Sequence, residues 1–136
     1  MNPELSVNRV ILVNRDRALI VRNSGNNFWS LPGGKQDEGE VSIESARREI
    51  NEELNIAINA LKLIGQQQLL RNSRTYNEYY WLSEIDDEQA HSIQPDIGPH
   101  GELDEVKWAN IETIETIDVY PRDLIKKAMS AGNTLG

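Results

Sequence analysis

The stretch that decides the fold runs from Gly33 to Ile56 and reads GGKQDEGEVSIESARREINEELNI. Seven of its residues are acids: Asp37, Glu38, Glu40, Glu44, Glu49, Glu52 and Glu53. Wound as a helix after Glu40, at roughly 100° per residue, the chain brings Glu49, Glu52 and Glu53 onto one arc. Their spacing of i, i+3 and i+4 makes them surface neighbours. Ile43, Ala46, Ile50 and Leu54 gather on a second stripe, about 120° away, and are expected to face a core. One helix thus carries a carboxylate patch and anchors itself by another face.

Such a patch is unfavourable alone, because like charges at i, i+4, here Glu49 and Glu53, repel by a few tenths of a kcal/mol. Oxygen-rich clusters suit hard cations such as Mg2+ or Mn2+, which turn the repulsion into binding. Arg48 lies four residues before Glu52 and four after Glu44, so it can brace the cluster from the side. Ahead of the helix, Pro32-Gly33-Gly34 lets the backbone turn tightly and bring a carbonyl close to an ion.

With these residues in view, the stretch resembles the signature of the Nudix hydrolases, G-x5-E-x7-R-E-U-x-E-E-x-G-U with U aliphatic. Gly34, Glu40, Arg48, Glu49, Ile50, Glu52, Glu53 and Ile56 match it in register. Asn55 stands where the family has its last glycine. That slot follows a helix end and needs a left-handed backbone, which Asn tolerates best after Gly. Trp29-Ser30-Leu31-Pro32-Gly33 also resembles the family's approach to this box.

At 136 residues, 38% of them hydrophobic, the chain is expected to form one domain, residues 1–136, with a core of its own. It contains no cysteine, which excludes disulfides, thiolate metal sites and a thiol nucleophile. Within the Nudix fold, that absence argues against the isopentenyl-diphosphate isomerase branch. The aliphatic runs Val10–Val13 and Ala18–Val21 are too short to span a bilayer, and no signal peptide is visible, so a cytoplasmic location is expected. A net charge of −8 disfavours long nucleic acids and acidic membranes as partners, and weakens any messenger-decapping reading. Small anionic substrates stay possible where a metal supplies local positive charge.

Val7–Val13 and Ala18–Arg22 read as two strands about an Asn14-Arg15-Asp16-Arg17 turn. Arg22, at the second strand's end, reads either as a substrate contact of the kind nucleotide-cleaving Nudix proteins carry near here or as a surface arginine. Trp29 reads as core. Leu61–Leu70 and Tyr76–Ile85 read as a second strand pair joined by Arg71-Asn72-Ser73-Arg74-Thr75. Alternation puts Tyr79 and Trp81 on one face, Tyr76 and Tyr80 on the other. Tyr79 is a candidate base-stacking residue, with plain strand packing the alternative. Arg71 and Arg74 are either phosphate contacts or solvated turn residues. Residues 86–101, which hold His91 and His100, lack periodicity and read as a long loop, a candidate lid. Glu102 to Trp108 reads as the entry to another strand. A C-terminal helix is expected to open at Tyr120-Pro121-Arg122, carry Lys126 and Lys127 toward its end and close at Gly132.

The resemblance implies an α/β fold, a Nudix-type α/β/α sandwich with a mixed β-sheet between helices. It further implies a MutT-like pyrophosphohydrolase that uses Mg2+ or Mn2+ to hydrolyse a nucleoside diphosphate linked to another moiety. On that reading Gly33, through its carbonyl, Glu49, Glu52 and Glu53 hold the metal. Glu49 or Glu102 serves as base, Glu102 being otherwise a further metal ligand with Glu105 as its fallback, and Arg48 orients the carboxylates. Gly34, Glu40, Arg22, Arg71 and Tyr79 border the substrate. The preferred substrate is a nucleoside or deoxynucleoside triphosphate. Alternatives are a nucleotide sugar, ADP-ribose or a dinucleoside polyphosphate, or a non-catalytic nucleotide-binding module. Position 72 is Asn where ADP-ribose hydrolases often have proline, and Tyr76 lies too far along to mark a diadenosine-polyphosphate hydrolase. A monomer and a homodimer are both compatible with the sequence.

Overall fold

A computed structural model describes residues 4–97 and 103–134, with side chains up to residue 130. Ten elements follow one another: β1 (Glu4–Asn14), β2 (Arg17–Asn23), β3 (Gly33–Lys35), α1 (Ser42–Leu54), β4 (Lys62–Arg71), β5 (Arg74–Glu84), α2 (Asp87–His91), β6 (Leu103–Ala109), α3 (Ile111–Thr116) and α4 (Arg122–Thr134). The strands form one mixed sheet in the order β4-β5-β1-β2-β6, with β3 attached to β1. The β1–β5 pair is parallel and runs from Glu4 opposite Thr75 to Val13 opposite Glu84. The other pairings are antiparallel.

Two tight hairpins build the sheet as the turn residues dictate. Asn14 faces Arg17 across Arg15-Asp16, with Arg15 at φ 57°. Arg71 faces Arg74 across Asn72 and Ser73, at φ 50° and 63°. Positive φ at the turn residues matches the right-handed twist of the strands they join.

Strand β1 lies inside the sheet, so both of its faces are covered and its aliphatic run is continuous. Val10 and Leu12 meet α1 through Ala46, Ile50 and Leu54; Ile11 and Val13 meet α3 and α4 through Ile114, Ile125, Ala128 and Met129. This is the expected α/β/α sandwich with a mixed sheet. Helix α1 ends as expected too: Asn55 is left-handed, at φ 59° and ψ 37°, and its amide donates to the Asn51 carbonyl.

Four details differ from the sequence reading. The 86–101 stretch is not all loop, because Asp86 and Gln89 close a reciprocal capping box over α2; five residues are too few to show a helical period, yet a box can start a turn. The following segment docks on the end of α1, with Gln94 N on Leu54 O at 2.9 Å and Asp96 N on Glu53 O at 2.8 Å. Helix α3, capped by Asn110 and pinned by the buried Ile114, was not foreseen. Helix α4 runs through Gly132 to Thr134, so Lys126 and Lys127 lie within it, and Lys126 pairs with Glu115 of α3 at 3.1 Å.

Candidate active site

The site is built where β1 divides its second edge between two partners. Val7, Asn8 and Arg9 pair with Lys35, Gly34 and Gly33 of β3, whereas Val13 and Asn14 pair with β2. Gly33 sits at φ +143°, and a Cβ there would come 2.0 Å from the Asn8 carbonyl oxygen, so only glycine lets the two backbones meet. A Cβ on Gly34 would instead strike the Glu49 carboxylate at 2.5 Å. The two glycines therefore do different work. Gly33 permits the strand pairing, and Gly34 leaves room for an acidic side chain.

Helix α1 presents its acids to this turn. Glu53 is buried and accepts from the Gly33 amide at 3.2 Å, which ties the helix to β3. Arg48 holds the others. Its Nε and Nη2 fork Glu40 at 2.8 and 3.0 Å, while Nη1 reaches Glu49 at 3.0 Å and Glu52 at 3.2 Å. Nη2 also donates to the Lys35 carbonyl at 3.0 Å, so the guanidinium spans helix, loop and strand. A bidentate fork of this kind is stronger and more directional than a point-charge contact. The Arg48 fork, followed by the Asp37 amide, lowers the Glu40 pKa from its ordinary 4.5 to about 2. The same contact with Glu40 raises Arg48 further still.

A cleft of about 600 Å3 opens beside this network. Gly33, Gly34, Glu49, Glu52, Glu53 and Arg71 all line it, so six of the expected site residues meet there. Arg48 and Glu40 stand behind its wall. Two of the expected substrate-bordering residues stand apart from this cleft. Arg22 is engaged by Asp104 at 3.2 Å and Glu105 at 3.3 Å and does not line the cleft. Tyr79 does not line it either; Tyr76, on the opposite face of β5, does. Glu102 and His100 lie outside the described residues.

The cleft also holds residues the sequence reading passed over, chiefly Arg9, Glu78 and Asp96. Arg9 donates from Nη1 to the carbonyls of Leu31 at 3.4 Å and Gly33 at 3.3 Å. A charged residue directly before the aliphatic run Val10–Val13 was the signal available for it. Glu78 accepts from the Tyr80 hydroxyl at 2.8 Å. Burial first, and then that carboxylate, push the Tyr80 phenol up, so it remains a donor.

The donor set fits a hard cation. Three carboxylates and a carbonyl with a second lone pair share one cleft, without sulfur or imidazole among them. Among the described residues no three acidic or histidine side chains converge on a single point, since Glu49 and Glu52 lean on Arg48.

The family model described as the NUDIX domain matches residues 3–128. The chain belongs to the NUDIX family. It is 30% identical over 95 residues to an 8-oxo-(d)GTP phosphatase of Mycolicibacterium smegmatis, a match over 70% of this chain and 27% of that protein's length. This NUDIX chain also resembles solved structures. An Ap4A hydrolase of C. elegans in a binary complex superposes with TM-score 0.77 at 20% identity, covering 97% of this chain and 99% of that one. The NUDIX domain of Shewanella oneidensis NrtR, complexed with ADP ribose, superposes with TM-score 0.76 at 16% identity, covering 100% and 91%.

Proposed function

We propose that this NUDIX protein is a metal-dependent pyrophosphohydrolase acting on a nucleoside diphosphate-linked substrate, with a nucleoside or deoxynucleoside triphosphate as the preferred class. The observation that carries the proposal is the meeting of Glu49, Glu52 and Glu53 with Arg9 and Arg71 in one cleft. A pyrophosphate needs its oxygens neutralised before a nucleophile can approach, and arginines suit that task from the protein side. Glu52, Glu53, Glu49 and the Gly33 carbonyl would hold a Mg2+ or Mn2+ ion. Such an ion, when bound, neutralises phosphate charge and acidifies water. Glu49 is positioned by Arg48 and by the open space at Gly34, and is assigned either to the metal or to the proton of attacking water. Glu102 remains a second candidate for the base. Arg48 and Glu40 act by positioning.

The triphosphate class draws support from the similarity to the 8-oxo-(d)GTP phosphatase and from a cleft whose volume lies in the range of small-ligand sites. Among the described residues no helix is long and apolar enough to cross a membrane.

The test is formation of the nucleotide product, with Mg2+, Mn2+ or EDTA. It is read as phosphate or pyrophosphate release from nucleoside and deoxynucleoside triphosphates, and by chromatography of the nucleotide products from nucleotide sugars, ADP-ribose and dinucleoside polyphosphates. Turnover is expected on triphosphates, and EDTA is expected to abolish it. Glu53→Gln keeps an acceptor for the Gly33 amide, so the variant should fold, yet lose more than about 100-fold in rate, beyond the effect of outer-shell changes. Undiminished turnover by that variant, or turnover in EDTA, would sink the mechanism.

A further inference from the structure

Next to the cleft lies a narrower slot of about 130 Å3, and Arg9, Asn23, Arg71 and Glu78 belong to the walls of both. Its flanks are aromatic. Phe28 is 40% exposed and Tyr120 43%, so both are left out of the core at the same opening. Aromatic faces of this kind stack flat rings of any sequence.

The inner wall is polar and held in place. Gln67 Nε2 donates to the Tyr80 hydroxyl at 2.8 Å and also to the Tyr120 hydroxyl, and Tyr80 in turn donates to Glu78 Oε2. One amide therefore fixes a flanking ring and, through Tyr80, the carboxylate. Ser30 Oγ, in the same wall, is buried and has no hydrogen-bond partner. Glu78, which shares the junction with Arg9 and Arg71, repels a phosphate from its own edge and leaves the arginines as the phosphate partners there. What suits the slot is a neutral flat ring with N–H donors on its edge.

We infer that the slot receives the nucleobase and that Glu78 selects a base with two adjacent N–H donors, as guanine presents at N1 and its 2-amino group. The inference rests on the nucleotide-hydrolase reading above. A carboxylate only accepts, and after the Tyr80 bond it retains lone pairs on both oxygens. Adenine and cytosine set an acceptor beside their amino group, and uracil sets acceptors on both sides of its N–H. Each of these turns a lone pair toward Glu78, whereas guanine does not. Sites built around such hydrogen bonds discriminate strongly against bases that cannot make them.

The experiment has two arms, each run on the wild type and on Glu78→Gln. Calorimetry in EDTA compares the binding of GMP and AMP, and steady-state kinetics with Mg2+ compares GTP, ITP, ATP, CTP and UTP. The amide of Gln keeps the acceptor for Tyr80 but turns an NH2 toward the base. We expect guanine to be favoured by about tenfold or more in both arms of the wild type, with ITP intermediate, and the preference to disappear in the variant. Equal binding of GMP and AMP, no binding of either, or a preference that survives in Glu78→Gln would overturn the inference. So would an equal loss of turnover on all bases, which would place Glu78 with the phosphates. Absence of triphosphate turnover with GMP still preferred would overturn the hydrolase reading and leave the slot standing.

Discussion

At the scale of single residues, Arg48 decides the state of the site. One guanidinium faces Glu40, Glu49 and Glu52, with Asp37 at 3.5 Å beyond its Nε. Without it the carboxylates would repel one another and spread into solvent. Its closest partner, Glu40, titrates near 2 rather than at 4.5. Between those two values the unfolded chain binds more protons than the folded one, so stability falls as pH falls through the window and is fully retained above it. We expect wild-type urea stability to decline more steeply from pH 5 to pH 2 than that of Glu40→Gln, which has no proton to take up there. Parallel declines would show that the Arg48–Glu40 fork does not bias folding.

At the scale of elements, the three-residue β3 joins the glycine turn to the sheet, and its two glycines separate folding from chemistry. Gly33→Ala drives a Cβ into backbone at 2.0 Å on a φ of +143°. Neither strand can yield cheaply, so we expect a loss of more than about 2 kcal/mol in denaturant unfolding, in the range of severe backbone strain. Gly34→Ala meets the carboxylate end of Glu49, a side chain rather than backbone. That variant should keep its melting temperature within a few degrees and still lose most of its activity. If both variants unfold alike, β3 acts as one rigid unit and Gly34 has no separate role. The same element shows where sequence reading stops. Ala46, Ile50 and Leu54 of the α1 stripe and the carboxylate arc were legible from helical spacing, whereas Ile43 is only half-buried and outside the core cluster. The left-handed Asn55 was legible from the glycine slot of the resemblance. Strand alternation put Tyr76 and Tyr80 together on one face of β5. It could not say which face borders the cleft, because that depends on the parallel register with β1. For the same reason alternation does not separate Tyr79 from Tyr76 as the tyrosine beside the cleft, nor single out Glu78. The ion pairs of Arg22 with Asp104 and Glu105 could not be seen in the sequence, because those acids come from a strand some eighty residues further along.

At the scale of the whole molecule, a net charge of −8 concentrates acids where a cation is expected, so ion binding and folding should be linked. Anything that binds only the folded state stabilises it by RT ln(1 + [L]/Kd), about 2.7 kcal/mol at a hundred times Kd. For a domain of this length that is a rise of several degrees in melting temperature. The arrangement also sets the affinity. Glu49 and Glu52 share their charge with Arg48, so the ion competes with an existing contact and should bind more weakly than at a preformed cage. We expect Mg2+ to raise the melting temperature only at concentrations well above those that saturate rigid all-carboxylate sites. EDTA should reverse the rise, and the double variant Glu52→Gln/Glu53→Gln should remove it while retaining the wild-type far-UV spectrum. An equal rise in the double variant would put the ion elsewhere on this acidic surface, and the α1 carboxylates would then have no claim to it.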